Sequence, residues 1–109
     1  MSYAVLRNKK VELVDDVVTW AKFFDKKDRI LAKTDVSPDV HVSTVFLGLD
    51  HGFGGKPLWF ETMIFGGEHD DYQKRYSTWE EAETGHEYAV IMAGGRVVPN
   101  TFLKELRNI

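Results

Sequence analysis

The sequence predicts an α+β fold, in which an antiparallel sheet of about four to six strands packs against one capped helix. Three observations support this fold class. Residues 42–65 contain two long runs that are rich in β-branched and aromatic side chains. Residues 78–93 carry apolar side chains at helical spacing behind a capping sequence. The strand-like and helix-like segments are also largely segregated along the chain, whereas a parallel α/β sheet would alternate them.

The first segment is expected to form a β-hairpin over residues 3–14. Two short apolar runs, YAVL and VELV, flank the polar sequence RNKK. Asn8 lies near the middle of that polar sequence, and asparagine is common in tight turns. The pattern therefore predicts two paired strands with a turn at Asn8.

A short helix is predicted over residues 16–25, followed by a strand. Asp16 is a good N-cap, and apolar residues recur after it at intervals of one helical turn. The charged residues 25–28 are expected to end this helix. Residues 29–34 then predict a strand, and residues 37–39 predict a turn because they contain a proline.

The middle of the chain contains the strongest strand signal. Two runs, VSTVFLGL (42–49) and LWFETMIF (58–65), are predicted to form a second hairpin. Residues 50–57 between them contain three glycines, which predicts a loop rather than a two-residue turn. Both runs are apolar on both faces, which predicts either central strands or strands covered on each side. Residues 72–76 alternate in polarity and predict a further strand.

The strongest helix signal spans residues 78–93. Thr78 with Glu81 fits a capping box, and so does Ser77 with Glu80. Acidic residues in the first turn also suit the positive end of the helix dipole. One face of this helix collects mostly apolar residues, namely Trp79, Ala82, His86, Ala89, Val90 and Ala93. This face is expected to pack on the sheet.

Glycines mark the middle and the end of the second helix. Gly94 and Gly95 are expected to end it. Gly85 lies in its middle, where glycine costs about 1 kcal/mol relative to alanine, and is compatible with a close approach of the helix to the sheet. Residues 99–106 predict a last helical turn or two.

Length and composition restrict the class of protein. The chain has 109 residues, which fits one domain spanning residues 1–109. Its net charge of −3, without a basic stripe, disfavours general nucleic-acid binding. The absence of cysteine excludes disulfides, thiolate metal sites and cysteine nucleophiles. No apolar run approaches the roughly 18 residues of a membrane span and no signal peptide is recognised, so a cytoplasmic protein is expected.

Asp50 and His51 form the first candidate site. They stand at the end of a predicted strand, directly before the glycine-rich loop. A carboxylate and an imidazole beside flexible glycines are typical of an active-site loop, where the backbone can approach a ligand closely. The alternative interpretation is a hairpin loop in which Asp50 caps its own turn. The pattern is not a phosphate-binding loop, because no Gly-Lys-Ser/Thr sequence opens a helix after it.

Glu61 and His86 are polar residues in otherwise apolar surroundings. Glu61 interrupts the run LWFETMIF, so a buried Glu61 must be paired, hydrogen-bonded or protonated. One alternative is a structural ion pair between Glu61 and Arg75. His86 lies on the apolar face of the predicted helix, from which it could reach Glu61 and form either a structural pair or a general-base pair. These alternatives stay open at the level of the sequence.

No metal site and no cofactor are predicted. His69, Asp70 and Asp71 could combine with His51 and His86 to supply oxygen and nitrogen donors. No spacing typical of a metal motif connects these residues.

Three linked motifs carry a resemblance to a known group of proteins. They are VSTVFLGLDHGFGG (42–55), LWFETMIFGG (58–67) and RYSTWEEAETGH (75–86). Together with the earlier sequences TWAKFF and DRILAKT, they resemble short, largely uncharacterised proteins of bacteriophages and prophage regions. The resemblance covers roughly residues 17–90 and implies no established activity, so no catalytic role is transferred from it.

Three hypotheses about function follow, of which we favour the first. It is a non-enzymatic phage accessory protein that binds a bacterial protein or a small nucleotide ligand and blocks a defence system, for instance a CRISPR nuclease. The second is a small hydrolase or lyase that uses Asp50, His51, Glu61 and His86. The third is a self-associating structural component, in which the hairpin 3–14 offers an edge strand for a symmetric homodimer.

Overall fold

The computed structural model describes residues 2–24 and 29–96, which contain six strands and two helices. The elements in chain order are β1 (Tyr3–Arg7), β2 (Lys10–Val14), α1 (Val17–Phe24), β3 (Ile30–Ser37), β4 (Val40–Phe46), β5 (Phe60–Phe65), β6 (Gln73–Tyr76) and α2 (Trp79–Met92). The predicted ends of α1 at residues 25–28 and the predicted helical turn at 99–106 lie outside the described residues.

The strands form two antiparallel sheets, and the α+β fold class predicted from the sequence is confirmed. β1 and β2 make a two-stranded sheet, while the second sheet has the order β3-β4-β5-β6. Every pair of neighbouring strands in both sheets is antiparallel. β4 and β5 are the two central strands of the larger sheet, as one of the two predicted alternatives requires.

The first hairpin turns at Asn8 and Lys9, as the sequence predicts. The two residues have φ angles of 49° and 67°, so both lie in the left-handed region. Two such residues between paired strands are the signature of a type I′ turn, whose twist matches that of the strands. The hairpin is joined to the larger sheet through Ala4, whose N–H donates to the carbonyl of Gly48 at 2.9 Å.

α1 begins where the sequence predicts it. The Asp16 carboxylate accepts hydrogen bonds from the Val18 N–H at 2.9 Å and the Thr19 hydroxyl at 2.8 Å. These bonds stabilise the charged carboxylate and lower the pKa of Asp16. Further along α1, the Trp20 ring N–H donates to the Gly48 carbonyl at 3.0 Å, which ties the helix to the segment after β4.

α2 covers one face of the larger sheet. Its buried residues are Trp79, Ala82, His86, Ala89 and Val90, which agrees with the predicted apolar face. Side chains alternate between the two faces of a strand, and the face under α2 holds the buried positions of β4, including Val42, Thr44 and Phe46. The intervening residues Ser43 and Val45 are half-buried. Within the described residues, the opposite face is therefore only partly covered.

The capping box of α2 uses Thr78 and Glu81, the first of the two predicted pairs. The Thr78 hydroxyl accepts from the Glu81 N–H at 3.1 Å, and the Glu81 carboxylate accepts from the Thr78 N–H at 3.1 Å. In its middle, α2 approaches the sheet at Gly85, where an added Cβ would overlap the hydroxyl oxygen of Tyr76. The glycine therefore makes room for the Tyr76 ring.

The described helices are too short and too polar to serve as membrane spans.

Candidate functional site

Asp50 caps the loop that it begins. One of its carboxylate oxygens accepts hydrogen bonds from the Gly52 N–H at 2.7 Å and from the Leu58 N–H at 3.1 Å. The bond to Gly52 is an Asx turn, and the bond to Leu58 closes the loop across its neck. The structure therefore gives Asp50 the role that the alternative interpretation of the sequence assigns to it.

His51 also holds the loop. Its ring Nδ1 lies 3.0 Å from the carbonyl oxygen of Leu49, and its backbone N–H donates to the Leu58 carbonyl at 3.2 Å. Because a carbonyl can only accept, Nδ1 must carry the proton. At the far side of the loop, the Ser77 hydroxyl donates to the Pro57 carbonyl, and Lys56 lies 3.6 Å from the Glu81 carboxylate.

The loop presents Phe53 to solvent. The residue is 86% exposed, the most exposed of the large hydrophobic residues that the structure describes. Its φ of 50° lies in the left-handed region, which a non-glycine residue seldom adopts. The next residue, Gly54, has a φ of 91°, and the Gly55 N–H donates to the Gly52 carbonyl at 3.1 Å. The backbone is thus bent and held at the point where Phe53 projects.

Sequence reasoning did not select Phe53 as a site residue. The available signal is a large aromatic residue between glycines in a loop that also contains an aspartate able to cap it. That signal does not indicate that the Phe53 side chain is exposed. Its exposure depends on the conformation of the loop, which is closed by the hydrogen bond from the Leu58 N–H to Asp50.

Glu61 is buried and paired on the half-covered face of the sheet. It is 8% exposed, and one carboxylate oxygen accepts from the Arg75 Nε at 2.8 Å and from the Gln73 side-chain amide at 2.5 Å. Arg75 lies opposite Glu61 in the β5–β6 register, so the ion pair is a cross-strand contact. The predicted structural pair of Glu61 with Arg75 is present.

His86 is buried between two threonines under α2. Its Nδ1 lies 2.7 Å from the Thr44 hydroxyl, and its Nε2 lies 2.9 Å from the Thr34 hydroxyl. Thr44 also lies 2.5 Å from the hydroxyl of Thr62, which extends the chain of hydrogen bonds across β3, β4 and β5. Burial lowers the pKa of His86 to about 4, so the imidazole is neutral at physiological pH. A neutral ring donates from one nitrogen and accepts at the other, and both roles have a partner here.

Glu61 and His86 do not form the pair that the sequence allowed. Thr62 belongs to the network under α2, and successive side chains of a strand point to opposite faces. Glu61 therefore points to the face away from His86, where it pairs with Arg75. The predicted contact between His86 and Glu61 is wrong, because adjacent residues of β5 point to opposite faces of the sheet and only Thr62 lies on the face of His86.

The other histidines and carboxylates are not brought together into a metal site in the part of the chain that the structure describes. No group of three or more His, Asp or Glu side chains lies close enough there to hold a metal ion. Asp70 uses its carboxylate to accept from the Gly66 N–H, which closes the turn between β5 and β6.

An open groove lies between β6 and α2 and has a volume of about 630 Å³. Its walls contain three tyrosines, Tyr72, Tyr76 and Tyr88, with one cation and two carboxylates. Burial raises the pKa of Tyr76 to about 12, and its hydroxyl has no partner in hydrogen-bonding geometry. This groove carries aromatic surface rather than a set of reacting groups.

Comparison of the chain with protein-family models, with curated proteins and with solved structures finds no match in any of the three.

Proposed function

We propose that the protein is a non-enzymatic binding module, and that the Phe53 loop is its principal contact with a partner protein. The observation that carries the proposal is that the residues of the loop 50–58 have two different roles. Asp50 and His51, which the sequence offered as reactive groups, hold the loop, and Phe53 is left exposed at its tip. We also propose that the protein is a phage accessory product that acts in the host cytoplasm on a component of bacterial defence, as its resemblance to phage proteins suggests.

The geometry suits recognition for two physical reasons. An aromatic side chain buries a large apolar area and loses few rotamers on binding, so such residues dominate the energy of many interfaces. The closed neck of the loop also restricts its backbone before binding, which reduces the ordering cost of association. Asp50 contributes to that restriction through the hydrogen bonds that its carboxylate accepts from the Gly52 and Leu58 N–H groups.

The candidate reactive groups offer little support for a hydrolase or lyase. Glu61 forms an ion pair with Arg75 on one face of the sheet, and His86 is 2% exposed on the other. None of the described cavities brings Glu61 or His86 together with Asp50. A binding role requires none of these groups to react.

The experiment is capture of partners from bacterial lysate with three tagged forms of the protein. They are the wild type, Phe53→Ser, and Phe65→Ser as a control that removes a half-exposed phenylalanine at the end of β5. We expect a stoichiometric protein partner with the wild type and the control, and its loss with Phe53→Ser. With the purified partner, removal of an interface anchor worth about 2 kcal/mol raises the dissociation constant about 30-fold.

Asp50→Ala tests the loop rather than the ring. It keeps Phe53 but leaves the amides of Gly52 and Leu58 without their acceptor, so affinity should fall while the partner stays the same. A partner that binds Phe53→Ser as tightly as the wild type would contradict the proposed surface. Mass spectrometry of small molecules released from the purified protein covers the nucleotide-binding alternative, and a retained nucleotide with no protein partner would contradict the proposed function.

A further inference from the structure

The groove between β6 and α2 has one wall from each element. Residues 72, 74 and 76 lie two positions apart, so their side chains share one face of the sheet, and all three line the groove. These residues are Tyr72, Lys74 and Tyr76. On the helix, Glu80, Thr84 and Tyr88 recur at intervals of about one turn and line the other wall. The groove thus combines three aromatic rings with polar groups on both sides.

Most of the polar groups in the groove are hydrogen-bond donors. The hydroxyls of the tyrosines and of Thr84 can donate, and so can the Lys74 ammonium. Lys74, Thr84 and Tyr88 make no side-chain hydrogen bond or ion pair with any described residue. Tyr76 is 7% exposed, and its hydroxyl has no partner in hydrogen-bonding geometry. Donors therefore remain in the groove for the acceptors of a ligand.

The two carboxylates of the groove differ in what they already bind. Glu81 accepts from the Thr78 N–H at 3.1 Å and lies 3.6 Å from the Lys56 ammonium. Glu80 is exposed and makes no hydrogen bond or ion pair with any described residue. Since α2 contains no lysine or arginine, the helix itself supplies no cation to Glu80. Glu80 is therefore the carboxylate that a cation on a ligand would meet.

We propose that the groove binds a proline-rich segment of the partner protein in the polyproline II conformation, with an arginine next to the prolines that pairs with Glu80. The inference rests on the proposed function, because the segment belongs to the partner that contacts the Phe53 loop. Lys56 of that loop contacts Glu81 in the groove wall, so the loop and the groove form one continuous surface.

This occupant matches the groove in hydrogen bonding, shape and charge. A run of prolines has backbone carbonyls but no N–H groups, so it only accepts hydrogen bonds, and the groove offers mainly donors. Proline-rich segments bind in grooves lined by aromatic rings, and they lose little entropy because they are extended before binding. An arginine beside the prolines supplies the counter-ion of Glu80.

The length of the groove indicates the length of the segment. Glu80 and Tyr88 are eight residues apart on α2, which corresponds to about 12 Å along a helix. A polyproline II helix rises about 3.1 Å per residue, so about four residues cover this distance. A peptide of five prolines followed by one arginine is therefore long enough to contact both ends.

The test is an NMR titration of the isotope-labelled protein with three peptides, each acetylated and amidated. The first has five prolines followed by arginine, the second has glutamine in place of the arginine, and the third has alternating glycine and serine in place of the prolines. We expect the first peptide to shift the Gly85 amide and the Tyr72 and Tyr88 ring resonances. The glutamine peptide should bind about threefold to fivefold more weakly, since it lacks an exposed ion pair. The glycine–serine peptide should bind more weakly than the first, because it is flexible and has no rings.

Two pairs of matched variants locate the site. Glu80→Gln removes the unpaired carboxylate, whereas Glu83→Gln makes the same charge change on α2 outside the groove. Tyr88→Ala removes a ring of the groove, whereas Ile91→Ala truncates a residue that is also 61% exposed but does not line it. We expect Glu80→Gln to lose the preference for arginine over glutamine, and Tyr88→Ala to bind the first peptide about threefold or more weakly. Both controls should bind like the wild type.

Three results would overturn the inference: no shift at the groove, equal binding of the proline and glycine–serine peptides, or unchanged binding by Tyr88→Ala. Equal binding of the arginine and glutamine peptides would overturn the role of Glu80. The titration contains no partner protein, and Phe53→Ser should bind the first peptide like the wild type. If the titration fails while partner capture still depends on Phe53, this inference is wrong and the proposed function stands. Peptide binding with a partner that is insensitive to Phe53→Ser would instead contradict the proposed contact and support the groove.

Discussion

Acid will destabilise the fold through His86. The unfolded chain binds a proton on this imidazole with a pKa of 6.5, whereas burial lowers the pKa in the folded protein to about 4. Between these two values the unfolded state binds more protons than the folded state. Stability is therefore fully present above pH 6.5 and falls as the pH decreases toward 4, where the loss levels off.

The size of the effect follows from the two pKa values. Their difference is about 2.5 units, and each unit corresponds to about 1.4 kcal/mol, so the full loss is about 3 kcal/mol. Domains of this size have free energies of unfolding of about 5–15 kcal/mol. Protonation of one buried ring would thus remove a large part of the stability of the protein.

The measurement is urea denaturation at a series of pH values, for the wild type and for His86→Gln. Glutamine has a donor and an acceptor for Thr34 and Thr44 but does not titrate, so the difference between the two proteins isolates the imidazole. The same free-energy difference at pH 7 and pH 5 would refute the reasoning. So would an NMR titration in which the His86 ring protonates near pH 6.5 in the folded protein.

Three further substitutions test the packing and capping of α2. Gly85→Ala should destabilise the fold by about 1–3 kcal/mol in chemical denaturation, since the new Cβ overlaps the buried Tyr76 ring; an unchanged or raised midpoint would contradict this. Tyr76→Phe should leave stability equal or slightly higher, because it removes a buried hydroxyl without a hydrogen-bond partner, and a loss above about 1 kcal/mol would show that the hydroxyl is used. Thr78→Ala, which removes the side-chain acceptor of the capping box, should cost about 1 kcal/mol, and an unchanged denaturation midpoint would argue against the box.

Local signals explain why much of the fold could be predicted from the sequence. The turn at Asn8, the cap at Asp16 and the box at Thr78 each satisfy backbone groups within a few residues, so their effect does not depend on distant packing. The predicted position of α2 also follows from local signals, namely its capping box, its periodicity and the glycines after it. These features agree with one another, and such agreement is typical of sequences that specify one structure.

The candidate site was predicted less well, because its contacts depend on which face of a strand a residue occupies. Glu61 and Thr62 are neighbours in sequence, but only Thr62 reaches the network of His86. In the run around Glu61, both the odd-numbered and the even-numbered positions are mostly apolar. Hydrophobicity therefore does not indicate which of these side chains face α2. The roles of Asp50 and Phe53 depend in turn on closure of the loop at Leu58, a contact eight residues along the chain from Asp50.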